Sequence, residues 1–186
     1  MPTVSFGQGY SVTAMQATEV FATIANDGVR VPPTVVAGTS SGTGSFTPMS
    51  AASGVRVIGK ETAQTLRLML ESVVSDQGTA PSAAIKGYRI AGKTGTAMRF
   101  SDACGCYSGY TASFIGMAPA DKPAYVVSVA IQAPQGIHWG GYLGGPVFKK
   151  VMSYVLQAKH IPPTNTVATR FPLNEADLNA GLKAKQ

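Results

Sequence analysis

Ala91-Gly92-Lys93-Thr94-Gly95-Thr96-Ala97 decides how this chain is read, because the same letters fit two incompatible backbones. With the residues before it, Gly87-Tyr88-Arg89-Ile90-Ala91-Gly92-Lys93-Thr94 satisfies the phosphate-loop pattern G-x-x-x-x-G-K-[ST] letter for letter. A phosphate loop must open directly into a helix whose first amides hold the phosphates. Here Lys93-Thr94 runs into Gly95-Thr96 and then a loop containing Ser101-Asp102-Ala103-Cys104-Gly105-Cys106, with no helical period behind it. The apolar strand Val129-Ala130-Ile131-Gln132 also ends without the Asp that would hold magnesium. The alternative is a β-strand edge, and the residues favour it.

The neighbouring segments supply the rest of that sheet. Ile85 to Gly92 is glycine-punctuated and β-leaning, and Tyr110-Thr111-Ala112-Ser113-Phe114-Ile115-Gly116-Met117 and Ala124-Tyr125-Val126-Val127-Ser128-Val129-Ala130-Ile131 are two further apolar strands. Pro119-Ala120-Asp121-Lys122-Pro123 joins the last two, far too short for the crossover that parallel pairing needs. An antiparallel meander of three strands follows.

Three helices bracket the strands. Thr13-x-x-Gln16 forms a capping box ahead of Met15, Val20, Phe21 and Ile24, and Asn26-Asp27-Gly28 supplies a left-handed stop. A second helix is predicted near Glu61 to Ser75, with Leu66, Met69, Leu70 and Val73 on one face and Gly78 beyond its end. A third is predicted to start at Pro146, bury Val147, Phe148, Val151 and Val155, and stop with Lys159-His160 before Pro162-Pro163. Between the first two helices Gly38-Thr39-Ser40-Ser41-Gly42-Thr43-Gly44-Ser45 reads as a polar linker, part of a flexible loop near residues 38–53. Residues 161–186 form a polar tail, expected to be extended or disordered.

Composition excludes several classes. The chain has 186 residues, 45% of them hydrophobic, and no apolar run reaches the roughly 18 residues of a membrane helix. Its formal charge is +6 with 13% charged residues, and no Lys/Arg cluster marks a nucleic-acid footprint. The length supports one core.

Taken in order, the run from Ser5 to Gln16, then Gly87 to Ala97, Tyr110 to Pro119, and Gly140-Gly141 through Pro146-Val147-Phe148, resembles the division-type class B penicillin-binding proteins over about residues 5–160. The resemblance implies an α+β penicillin-binding/serine β-lactamase-like fold, incomplete in this chain, with residues 1–160 as the C-terminal portion of a D,D-transpeptidase domain. Such an enzyme crosslinks peptidoglycan stem peptides through an acyl-serine intermediate during cell division, is the target of β-lactams, and needs no cofactor. It acts outside the cytoplasm, held by an N-terminal segment not present here, among cell-division proteins. In these enzymes Lys-Thr-Gly works with Ser-x-x-Lys and Ser-x-Asn segments. No serine of this chain has Lys three residues on or Asn two residues on. The expectation is therefore a wall of an active site without its nucleophile, inactive alone and completed by the upstream part of the same domain.

Acyl transfer from a D-Ala-D-Ala peptide needs a nucleophile, a base, donors for the developing oxyanion and a cation for the terminal carboxylate. By resemblance, Lys93 gives positive potential, Thr94 and Thr96 hydroxyls bind the carboxylate, the Thr96 N–H is one oxyanion donor, and Gly95 leaves room for the acyl group. On residue type alone, Lys93 reads rather as a solvated strand lysine and the threonines as ordinary strand formers. His138 and Trp139, in Ile137-His138-Trp139-Gly140-Gly141-Tyr142, are candidates for an aromatic wall beside the substrate, with Tyr110 a further one. A Trp packed over the sheet with His138 exposed beside it is the competing reading. Cys104 and Cys106 do not combine with His138 and His160 in any zinc-finger spacing, and metal binding is not expected. They form either a tight-turn disulfide, which an extracytoplasmic setting permits, or two free thiols. A noncatalytic binding module with the same fold, or a phosphate-loop nucleotide-binding protein, are the other functions these residues allow.

Overall fold

Thr13 caps the first helix by the reciprocal pair its sequence predicts. In this computed structural model, which describes residues 9–42, 44–50 and 52–164 together with residues 7 and 166, α1 spans Ala14–Ala25. The Gln16 N–H donates to Thr13 Oγ1 at 3.1 Å and the Thr13 N–H donates to Gln16 Oε1 at 2.9 Å. The helix stops where Asp27 (φ 50°) and Gly28 (φ 84°) turn left-handed. Glycine is required at 28 for a second reason: a Cβ there would lie 2.3 Å from the Ile58 carbonyl oxygen. That close approach brings β1 (Val29–Arg30) against β4 (Val55–Arg56) as an antiparallel pair.

The segment read as a glycine and serine linker contains a hairpin. β2 (Gly38–Ser40) pairs with β3 (Phe46–Pro48), with Thr39 opposite Thr47. Polar spacing hid strands whose side chains are almost all exposed and bury no apolar face.

The main sheet is the predicted meander, in order β5-β6-β7, all antiparallel. β5 runs Ala91–Ser101, β6 Cys106–Ala118 and β7 Tyr125–Gln132. The first strand starts later than the β-leaning residues before it suggested. Ile85 to Ile90 is a turn and connector, and Lys-Thr-Gly-Thr lies inside the strand itself. The Cys104-Gly105-Cys106 loop is the tight tip of the β5–β6 hairpin, with Ser101 opposite Cys106. A cis Ala118–Pro119 peptide opens the β6–β7 connection, closed by the Ala124 N–H on the Ala118 carbonyl at 3.1 Å.

Both faces of this sheet are covered. Strand alternation sends Phe114 and Ala118 to one face, where α3 (Gly140–Ala158) lays Phe148, Met152 and Leu156 on them together with Ile90 and Val74. Phe114 and Phe148 meet edge to face with centroids 4.9 Å apart. The opposite face sends Ala91, Met117 and Val126 against Phe21 and Ile24 of α1 and Leu70 of α2 (Lys60–Glu71). The result is an α+β architecture of helix, sheet and helices.

Two helices depart from their predicted faces and ends. α2 ends at Glu71 and continues as a 3-10 turn, Ser72–Val74, so the predicted span is kept in two pieces. Its buried residues are Ala63, Arg67 and Glu71, while Met69 is 41% exposed. α3 begins six residues before the predicted start, and Pro146 lies inside it on the exposed side. Its buried stripe is Gly140, Gly141, Gly144, Gly145, Phe148, Met152 and Leu156, leaving Val147 and Val151 each 42% exposed. Four glycines mimic a turn in sequence yet here let a helix approach a sheet.

Charges on the buried face of α2 fix its neighbours. Arg67 donates to the Ile24 carbonyl at 3.0 Å and to Asp27 Oδ1 at 2.9 Å, closing the C-terminal end of α1. Glu71 accepts two hydrogen bonds from Arg89, at 2.6 and 2.9 Å, just before β5. Their side chains are only 5% and 15% exposed. At the far end, the Ile161 N–H returns to the Leu156 carbonyl, and Thr164 N–H and Tyr88 O–H tie residues 161–164 to the 87–88 turn. The rest of the predicted tail, save residue 166, and Ser5, Phe6 and Gln8 of the opening run lie outside the described residues.

Two outcomes follow from these ion pairs. Replacing Glu71 by Gln strands a buried guanidinium and is expected to cost about 3–5 kcal/mol in urea unfolding, against about 0–1 for a solvated pair. A Glu71→Leu/Arg89→Met double variant should recover most of that loss. The Arg67 hydrogen bond, with the nearby Arg67 and Lys60 charges, holds the Asp27 carboxyl below its ordinary range. A lowered folded-state pKa contributes stability above the unfolded value and loses it as pH falls through the folded one. The melting difference between wild type and Asp27→Asn should therefore be present at neutral pH and shrink below about pH 4.

Candidate functional site

Lys93, Thr94, Gly95 and Thr96 sit mid-strand on β5, opposite Ile115, Phe114, Ser113 and Ala112 of β6. No described strand pairs with the other edge of β5. Period-two alternation splits the four residues between two faces. Lys93 and Gly95 share the α1/α2 side, and Thr94 and Thr96 share the α3 side. This geometry removes the phosphate-loop reading, because Lys93-Thr94 lies in a strand and no helix starts behind it.

Lys93 is exposed and its ammonium donates to the Thr94 carbonyl at 2.8 Å. No carboxylate among the described residues pairs with it. Its positive charge is thus uncompensated beside the open edge, where it can attract an anion. A Cβ on Gly95 would lie 2.4 Å from Ser113 Oγ, so a side chain there would require the Ser113 hydroxyl to rotate away.

The α3 start determines what the threonines can do. A Cβ on Gly140 would lie 2.2 Å from the Gly95 carbonyl oxygen and 2.3 Å from that of Ser113. A Cβ on Gly141 would lie 2.0 Å from the Thr79 carbonyl oxygen. The helix therefore meets the β5–β6 backbone directly, and the Gly140 N–H donates to Thr96 Oγ1 at 3.0 Å. An N–H can only donate, so Thr96 Oγ1 accepts here and its own hydroxyl proton is left to give away. Thr94 Oγ1 lies 3.1 Å from Thr79 Oγ1. If Thr79 donates, Thr94 has the same free proton. The Thr96 hydroxyl is thus a donor suited to an anionic acceptor, with Thr94 beside it on the same face and Lys93 on the other face of the strand.

The aromatic residues adjoin this row. Tyr110, opposite Met98, stacks on His138 with centroids 4.0 Å apart and planes 10° from parallel. The His138 ring also tilts against Trp139 at 4.9 Å, and Trp139 is the N-cap of α3, 62% exposed. Trp139 does not pack over the sheet, and the three rings form a continuous ledge next to Thr96. Sequence reading missed Thr79, which sits between two 3-10 turns and carries no motif of its own, and the Gly140 amide. Only Gly140-Gly141 next to an aromatic pair hinted at the latter. Among the described residues no three His, Cys, Asp or Glu side chains gather into a set for a metal ion.

Comparison with known proteins identifies the family. Residues 2–153 match the family described as the penicillin binding protein transpeptidase domain. The chain is 45% identical over 166 residues to penicillin-binding protein PbpB of Mycolicibacterium smegmatis, covering 84% of this chain and 26% of that protein. It is 36% identical over 183 residues to peptidoglycan D,D-transpeptidase FtsI of Escherichia coli, covering 96% and 29%. Among solved structures, penicillin binding protein 3 of Mycobacterium tuberculosis complexed with aztreonam superposes with a TM-score of 0.80 at 36% identity, covering 92% of this chain and 40% of that one. The chain thus spans about a quarter of the length of these curated relatives. It belongs to the penicillin-binding protein transpeptidase family.

Proposed function

We propose that this chain supplies the carboxylate-binding and oxyanion-side wall of a D,D-transpeptidase that crosslinks peptidoglycan stem peptides during division. The relatives' names carry that activity: FtsI is a peptidoglycan D,D-transpeptidase, and the penicillin binding protein 3 structure holds aztreonam. One observation supports the residue roles above the rest. Because Gly140 N–H donates to Thr96 Oγ1, the Thr96 hydroxyl proton is free for an acceptor at the open edge of β5.

In this reading the C-terminal carboxylate of the stem peptide, or the equivalent carboxylate of a β-lactam, takes the Thr94 and Thr96 hydroxyls. The Lys93 ammonium supplies the cation. The scissile carbonyl then lies along β5 over Gly95, and the Thr96 N–H faces the developing oxyanion. The ledge of Tyr110, His138 and Trp139 shields one side of the peptide. A serine from polypeptide preceding these residues attacks, and the terminal D-alanine leaves as the acyl-serine forms. That polypeptide also suits the apolar surface of α1, where Val12, Met15 and Val20 are each about half exposed beside Phe21 and Val57. The parent protein acts on the outer side of the cytoplasmic membrane with cell-division partners. No helix among the described residues is long and apolar enough to cross a membrane.

Incubated with a fluorescent penicillin, the chain alone should show no covalent label on a denaturing gel. Adding the upstream part of the domain should restore one label per complex; stoichiometric labelling of the chain alone would refute the division of roles. In the labelled complex, Thr96→Val removes a hydrogen bond to a charged group, worth about 1.5–3 kcal/mol, so the acylation rate constant should fall roughly 10- to 100-fold. Lys93→Ala should fall at least as far, with the melting temperature unchanged because the side chain is exposed.

A further inference from the structure

We propose that Cys104 and Cys106 form a thiol–disulfide exchange site at the end of an overhanging arm, open to low-molecular-weight thiols while the protein stays folded. The two sulfurs are bonded across a single glycine, and Cys104, Gly105 and Cys106 are all exposed. Nothing lies within 4 Å of the position a Gly105 Cβ would take. Both cysteines are therefore at the solvent surface where a thiolate can approach, and exposed disulfides are the labile ones.

The bond is also poorly placed to hold the fold. The stabilisation a cross-link gives through chain entropy grows with the loop it closes, and a bridge two residues apart closes almost none. The hairpin around it is held by other means. Ser101 stays opposite Cys106 and Phe100 opposite Tyr107, and the Phe100 and Tyr107 rings meet edge to face at 5.6 Å. Pairing between β6 and β7 begins only at Thr111, and Tyr110 is the last residue of β6 tied to the chain beyond β7, through the Ala133 N–H, so residues 99–109 project as two strands without a third. Opening the bond there disturbs no core residue.

The exchange balances in two steps. A thiolate RS⁻ attacks one cysteine sulfur, the Cys104–Cys106 bond breaks, and a mixed disulfide forms while the other cysteine leaves as a thiolate. A second RS⁻ attacks the RS sulfur of that mixed disulfide, releasing RSSR and the second cysteine thiolate. Two thiols are oxidised, one protein disulfide is reduced, and the two protons lost by the thiols end on the cysteines.

The test uses the whole chain without denaturant. Excess reduced glutathione, followed by iodoacetamide and intact mass measurement, should add two carbamidomethyl groups, and oxidised glutathione should re-form the bond. The near-UV circular dichroism should persist, and the melting temperature should move by less than about 4 °C. Cys104→Ser/Cys106→Ser should melt within the same margin, and Cys104→Ala given oxidised glutathione should gain one glutathione on Cys106. A bond untouched until denaturant is added would overturn the proposal, as would unfolding on reduction or loss of fold in the double serine variant.

Discussion

Helix α3 meets the sheet backbone to backbone, and that contact organises everything around it. At Gly140 and Gly141 there is no room for a methyl group, since carbonyl oxygens of Gly95, Ser113 and Thr79 already occupy the space. One turn on, Gly144 is nearly as tight against Phe114. Further along, the buried stripe changes to Phe148, Met152 and Leu156. Small residues at the start and bulky ones at the end make a wedge, closest where Thr94 and Thr96 lie and thickest over Ile90 and Ala118. A single alanine at 140 would push the helix end off Thr96 and release the hydroxyl it orients.

The opposite face is positioned by buried charges in addition to its apolar packing. Arg67 and Glu71 lie one turn apart on the buried side of α2, and each reaches a different element. Arg67 takes the end of α1, and Glu71 takes Arg89 at the mouth of β5, four residues before Lys93. Hydrogen bonding to Glu71 raises the Arg89 pKa further above its already high value. A buried, bidentate pair contributes less net stability than an apolar one of the same size, but it specifies geometry. Here it fixes where the strand bearing Lys93 begins.

Much of this was legible in the residues. The capping box at Thr13, the stop at Gly28 and the antiparallel order of the three long strands follow from local chemistry, which tertiary packing did not override. On α2 and the turn that continues it, Leu70 and Val73 pack on the core as expected, but apolar periodicity ranks Met69 above the buried Arg67 and Glu71, because a charged group buried with its partner leaves no periodic trace. The start of α3 was misread for a related reason. Gly140, Gly141, Gly144 and Gly145 have poor helix propensity, so the segment looks like a turn until the sheet that needs their missing side chains is in place. Lys93, Thr94, Gly95 and Thr96 are candidates by motif, but the motif says nothing of which way a hydroxyl points. Thr79 was invisible because its role exists only through its 3.1 Å approach to Thr94, fifteen residues later.

That distinction explains how a wall can be built without the group it serves. The polarity of Thr96 is imposed by a backbone amide of α3, which has no alternative to donating. Its direction is imposed by the glycine contact below it. Neither depends on a serine, a base or a bound carboxylate. A donor oriented by main chain costs little reorganisation when a negative charge arrives, which is the condition under which hydrogen bonds stabilise a transition state more than a ground state. The Lys93 ammonium differs, resting on a neighbouring carbonyl from which an anion can draw it. The Thr96 hydroxyl is therefore held by the main chain of α3 while the Lys93 ammonium is not, a division fixed by which residue contacts α3 and which does not.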